Sequence, residues 1–242
     1  MIRRLLAAVL MAGSVAAFGQ PTLHTDLPLS YLAQSAPTTQ APAMVILLHG
    51  YGSNETELFA LKERLPTGIT YLSVRAPQVL GGGRYAWFRQ KQAPGLYDGV
   101  AADLHESGRL LNDFIAKAAA RYHIAPERVV LVGFSQGAMI SYQAALTQPE
   151  QVGGIAALGG RLLPDSATAL GPAASYTHLA VFIGHGVDDG VVGFAGTEGT
   201  RKTLAAIGVT PTFHAYPGLG HAIAPQELAD LAQWLQRVLK TR

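Results

Sequence analysis

The chain has 242 residues, 49% of them hydrophobic and 14% charged, with 18 basic residues against 16 acidic ones and no cysteine. That length suits one large domain or two small ones, and the strand–helix alternation described below favours one. The lack of cysteine excludes disulfides, thiolate metal sites, thiol redox chemistry and a lipoprotein anchor, and the near-balance of charge leaves no basic surplus to attract nucleic acid.

The chain opens Met-Ile-Arg-Arg and then runs from Leu5 to Ala17 without a charge. A basic start followed by a short apolar run is the layout of a secretory signal peptide, and the run is too short to span a bilayer comfortably. Small residues at Ala16, Ala17 and Gly19 offer cleavage points. Residues 1–19 are therefore expected to be removed, leaving residues 20–242 as a single exported domain, periplasmic or extracellular, without a stable membrane anchor. An uncleaved anchor is the alternative, and the shortness of the run speaks against it.

Leu29 to Gln34 reads as a first strand, followed by a turn-rich loop from Ser35 to Pro42. Met44 to Leu48 is a continuous apolar run, the mark of a strand buried on both faces of a parallel sheet. It leads into His49-Gly50-Tyr51-Gly52. Asn54, with Glu57 three places on, resembles a capping box opening a helix over Glu55 to Leu65.

Further strands are expected at Thr70 to Val74, Val129 to Phe134, Gly154 to Leu158, Leu179 to Gly184 and Thr210 to Tyr216. Helices are expected at Val100 to Tyr122, Gln136 to Leu146, Phe194 to Ile207 and Pro225 to Leu239. In the first of these, Leu104, Leu111, Phe114, Ile115 and Ala118 share one apolar stripe. Gly208 after Ile207 is a typical stop signal. Strands alternating with helices imply an α/β fold, a mostly parallel sheet with right-handed crossovers and helices on both faces.

Gly133-Phe134-Ser135-Gln136-Gly137 lies where an expected strand ends and an expected helix begins, the context required of a nucleophile elbow. The turn strains the serine backbone, and side chains in place of Gly133 and Gly137 would collide with the neighbouring strand and helix. A helix-capping serine is the plain alternative. The start of the next helix aims the Gln136 amide at the serine oxygen, where it can stabilise an oxyanion. The glycine-rich turn after the earlier strand can bring the Tyr51 amide in as a second donor, with His49 bracing that turn.

A serine needs a base, and in α/β-hydrolases the chain order is serine, acid, histidine. That order leaves His178, His185, His214 and His221. His221 fits best, because Pro217-Gly-Leu-Gly-His221 is a loop between the last strand and the last helix, while His178 and His214 fall at or inside strands. Among the acids after Ser135, only Asp188 and Asp189 sit just beyond a buried strand, and spacing does not choose between them.

Taken together, Leu47-Leu-His-Gly-Tyr-Gly-Ser-Asn-Glu55, Gly133-Phe-Ser-Gln-Gly-Ala-Met139, His185-Gly-Val-Asp-Asp-Gly-Val-Val192 and Gly218-Leu-Gly-His221 resemble the phospholipase/carboxylesterase family, which includes acyl-protein thioesterases. The likeness runs from about Tyr31 to the C-terminus. It implies the α/β-hydrolase fold and names Asp189 as the acid, Tyr51 and Gln136 as oxyanion donors, and the Trp87-Phe88 pair as neighbours of the active site. The chain departs from the family at Gly193, where a proline usually follows the two valines.

These readings converge on a serine carboxylesterase with catalytic Ser135, Asp189 and His221, acting on a small-molecule ester without cofactor or metal. Thioesters, lysophospholipids and aromatic or polymer esters are rival substrates for the same triad, and a noncatalytic binding protein of the same fold is the rival from another class. Gly81-Gly-Gly83 offers no side chains to wall a long groove, so a short acyl pocket bounded by Tyr51, Leu80 and Trp87 is expected. Nothing in the sequence sets an oligomeric state.

Overall fold

A computed structural model describes residues 21–37, 42–91 and 97–240 of the chain. The expected signal peptide lies outside the described residues. Among those described, no helix is long and apolar enough to cross a membrane.

The first three strands are β1 (Tyr31–Gln34), β2 (Met44–Leu48) and β3 (Thr70–Val74), and every residue of β2 and β3 is buried. Such strands carry apolar residues on both faces because layers of helix cover both. Between β2 and β3 the long expected helix is absent. The chain makes one α-helical turn, α1 (Thr56–Phe59), and then a 3-10 turn over Ala60–Arg64. Leu65 is extended, as favoured before the proline that follows it, which ends the helical path. The expected capping box is only half made. Asn54 Oδ1 accepts from the Thr56 amide at 3.0 Å, but the Glu57 carboxylate turns away to accept from the Gly50 amide at 3.2 Å.

Two small antiparallel pairs follow: β4 (Gln78–Gly81) with β5 (Arg84–Ala86), and β6 (Gln90–Lys91) with β7 (Asp98–Gly99). The β4–β5 turn uses Gly81, Gly82 and Gly83 at φ of 86°, 60° and 71°, a run of left-handed backbone that only glycines adopt without strain. Helix α2 (Ala101–Tyr122) then covers one face of the sheet and ends at His123, itself left-handed at φ 53°.

The second half alternates regularly: β8 (Val129–Phe134), α3 (Gln136–Thr147), β9 (Gly154–Leu158), the short α4 (Pro164–Thr168), β10 (Ala180–Gly186), α5 (Ala195–Ala206), β11 (Thr212–Tyr216) and α6 (Pro225–Lys240). The sheet order is β1-β3-β2-β8-β9-β10-β11. Only β1 runs antiparallel to its neighbour.

The sheet divides the core in two. On one face Met44, Ile46 and Leu48 pack with Leu111 and Phe114 of α2, Met139 of α3 and Leu204 of α5. On the other, Val45 and Leu47 pack with Phe59 of α1 and with Leu231, Trp234 and Leu235 of α6. The period-two alternation along β2 thus feeds both layers. The parallel strands all end on one side, which places the loops after β2, β8, β9, β10 and β11 together, where open α/β sheets hold their ligands.

Candidate active site

Ser135 stands between β8 and α3 with φ 55° and ψ −117°, outside the favoured regions for a residue with a side chain. The turn is closed by three backbones in close approach. A Cβ on Gly133 would lie 2.2 Å from the Gly137 carbonyl, and a Cβ on Gly137 would lie 1.9 Å from the Leu48 carbonyl oxygen. The Ser135 amide donates to Leu158 O at 2.9 Å, which pins the elbow to the end of β9.

Ser135 Oγ lies 2.9 Å from His221 Nε2, and His221 Nδ1 lies 2.7 Å from Asp189 Oδ2. This chain of contacts joins three loops, after β8, β10 and β11. The latter two are laced together: Asp188 N donates to Leu219 O at 3.0 Å, and a Cβ on Gly186 would lie 2.3 Å from that same oxygen. Phe134 packs against the His221 ring at 4.9 Å between centroids.

Asp189 Oδ1 accepts from the Val191 and Val192 amides at 2.8 and 2.9 Å. Burial pushes its carboxyl up, but the hydrogen bonds from His221, Val192 and Val191 outweigh burial and hold it below the usual carboxylate range. Asp189 therefore stays charged and orients the His221 N–H. Asp188 is exposed instead. These amide bonds also fix the Asp189 loop ahead of Gly193, where the sequence lacks the family's proline.

The sequence did not anticipate a second imidazole at this carboxylate. His185 is fully buried, its Nε2 lies 2.7 Å from Val192 O and 3.2 Å from Asp189 Oδ2, and its Nδ1 has no hydrogen-bond partner. Its place just past the expected end of the strand was visible, but its contact with the carboxylate four residues on was not. The other two candidate bases lie elsewhere. His214 is stacked on Phe182, and His178 is an exposed residue close to Pro149 O.

Gln136 follows Ser135 directly, and a Cβ on Gly50, the residue before Tyr51, would lie 3.5 Å from Ser135 Cβ, so the backbones of Tyr51 and Gln136 both come close to the serine. Two amides so placed can stabilise an oxyanion on an acyl carbon attacked by the serine. The loop that carries Tyr51 is braced from several sides. His49 Nδ1 donates to Gly50 O at 2.7 Å and its Nε2 accepts from the Ala76 amide at 3.1 Å, an arrangement available only to the neutral ring. Burial lowers the affinity of that ring for a proton below its ordinary value. Arg75 forks onto Glu55 with two contacts of 2.6 Å and so anchors the far end of the loop.

Trp87 corrects an expectation. It was expected to line the acyl pocket, but its side chain is fully buried and has no surface to offer a substrate. Its indole N–H donates to His49 O at 2.9 Å, its amide donates to Gln136 Oε1 at 3.0 Å, and Gln136 Nε2 donates to Phe88 O at 2.8 Å. Trp87 therefore ties the Tyr51 loop to the elbow. Leu80, by contrast, is 36% exposed on the β4–β5 hairpin, which leans on the Tyr51 loop through Gly52 N to Tyr85 O at 2.9 Å.

With this geometry in view, the family model described as Phospholipase/Carboxylesterase matches residues 31–239. The chain belongs to that family. It is 28% identical to acyl-protein thioesterase 1 of Gibberella zeae over 229 residues, 88% of this chain and 95% of the relative. Among solved structures it is similar to the Bacillus cereus carboxylesterase, with a TM-score of 0.73, 25% identity and coverage of 87% of this chain and 94% of that one. It is also similar to esterase PE8, with a TM-score of 0.76, 28% identity and coverage of 87% and 99%. The chain is a serine hydrolase of the α/β-hydrolase fold, acting on small-molecule esters.

Proposed function

We propose that the protein is an exported carboxylesterase that cleaves short- to medium-chain carboxylic esters through an acyl-enzyme on Ser135. The observation that carries this reading is the unbroken contact from Asp189 through His221 to Ser135 Oγ. As Oγ attacks the acyl carbon, His221 Nε2 takes its proton, and the Nδ1–H held by Asp189 stabilises the imidazolium. The Tyr51 and Gln136 amides receive the charge that develops on the carbonyl oxygen. His221 returns the proton to the leaving alcohol, and a water activated by the same ring releases the acid.

Export rests on the basic-then-apolar layout of residues 1–19. The chain-length reading rests on the β4–β5 hairpin. Its three-glycine tip has nothing within 4 Å of where side chains would start, and Tyr51 and Leu80 are left as exposed apolar groups at 49% and 36%. Each buried methylene is worth about 0.8 kcal/mol, so kcat/KM should rise roughly fourfold per carbon until the pocket is full. The test is kcat/KM for p-nitrophenyl esters from acetate to palmitate, assayed below their aggregation limit. The rise is expected to stop by a medium chain, and an optimum at palmitate would overturn the short-pocket reading while leaving the triad in place.

A further inference from the structure

The segment after β9 carries a guanidinium with no acid to neutralise it. Leu158, the last residue of β9, accepts from the Ser135 amide. At Gly160 a Cβ would lie 2.9 Å from Ser135 O and 2.4 Å from Ala138 Cβ, so the chain here is pressed onto the elbow. Arg161 is the next residue, one peptide step of about 3.8 Å away. Its stem crosses the start of α5, where a Cβ on Gly196 would lie 2.8 Å from Arg161 Cδ, and its Nη2 donates to Tyr97 O at 2.7 Å. The Tyr97 hydroxyl is buried without a hydrogen-bond partner among the described residues. Arg161 thus starts one residue from the backbone packed on Ser135 and ends on the Tyr97 carbonyl.

Arg161 is only partly exposed, and its Nε is buried without a hydrogen-bond partner. Two acids of neighbouring segments, Asp98 and Asp165, both pair with Lys91 Nζ, at 3.2 and 3.3 Å. Arg161 has no ion pair among the described residues, and residues 92–96 contain no Asp or Glu. A half-buried guanidinium without a counter-charge is costly unless the charge arrives with a ligand. The planar fork of arginine matches a carboxylate in both charge and geometry.

We propose that Arg161 binds a carboxylate of the substrate, so that the preferred ester carries a negative charge on its acyl or its alcohol part. This rests on the esterase reading of Ser135 given above. The partly exposed part of the Arg161 guanidinium is the donor available to that carboxylate, with Arg161 Nε and the Tyr97 hydroxyl enclosed beside it.

The experiment compares kcat/KM within two pairs of near-isosteric esters. Monomethyl succinate against methyl levulinate places the charge on the acyl part, and acetylglycolate against acetoxyacetone places it on the alcohol part. The wild type is expected to prefer the charged member of at least one pair by about tenfold or more, a charge-assisted contact being the difference. Arg161→Gln should bring that ratio toward one, and Arg161→Lys, which keeps the charge, should retain part of it. A ratio at or below one in both pairs for the wild type, or the same ratio in Arg161→Gln, would overturn the proposal. Calorimetric binding of succinate and glycolate separates it from the esterase reading. If neither neutral ester is turned over but one of these anions binds the wild type and not Arg161→Gln, the esterase reading fails and the anion subsite stands.

Discussion

Gly137 and Leu48 meet so closely that a Cβ on Gly137 would lie 1.9 Å from the Leu48 carbonyl oxygen. The obstacle is backbone of the central sheet, which cannot swing away as a flexible side chain would. Gly137→Ala should therefore destabilise the fold by about 1–3 kcal/mol or more and displace the elbow. Denaturant unfolding and kcat measured on the same preparation check this. Wild-type values for both would contradict the close approach.

Because Ser135 and His221 act as one unit, Ser135→Ala and His221→Ala should each lower kcat by roughly 10⁴ to 10⁶, and the double variant little further. Multiplying losses would show that the two residues act independently.

Asp189 and Asp188 are adjacent but face different ways. Asp189→Asn should cost roughly 10⁴ in kcat by releasing the His221 tautomer, while Asp188→Asn, at an exposed position, should cost far less. The reverse ranking would move the acid to Asp188.

Trp87→Phe removes the N–H donated to His49 O together with part of a fully buried ring system. It should cost about 1–3 kcal/mol of stability or more, from the lost bond and the cavity together, and lower kcat, since the Tyr51 loop loses a tether. A rise in KM at unchanged kcat would instead return Trp87 to the substrate pocket.

The carboxyl of Glu227 in α6 is buried against Gly184, with Oε1 unpartnered. Burial pushes it up to about 7. The native protein therefore holds a proton there at pH values where the unfolded chain, titrating near about 4.3, has released it. The contribution of Glu227 to stability should be greatest at or below that lower value and fall by roughly 3 kcal/mol as pH rises to 7 and beyond. Glu227→Gln should flatten this part of the pH profile of unfolding. Parallel profiles for wild type and variant would contradict it.

Legibility in the sequence followed burial and locality. β2, β3, β8 and β9 match their expected bounds because an apolar run buried on both faces contrasts sharply with its polar flanks. β10 extends past its expected end through His185 and Gly186, held by pairing with β11 that no local pattern shows. The β4–β5 hairpin carries exposed residues without an apolar period, so only its glycines hinted at a turn. At the site, Ser135 and His221 sit in motifs read within a few residues. The Trp87–His49, Gln136–Phe88 and His185–Asp189 contacts depend on tertiary approach, and so the bracing role of Trp87 was not visible.

The central claim is that Ser135 is a nucleophile activated by His221. Its most direct measurement is labelling with a serine-directed phosphonate, followed by mapping of the modified peptide by mass spectrometry. The account predicts one adduct on Ser135 in the wild type, and none in Ser135→Ala or, on the same timescale, in His221→Ala. An unlabelled Ser135 in active protein, or equal labelling in His221→Ala, would contradict it.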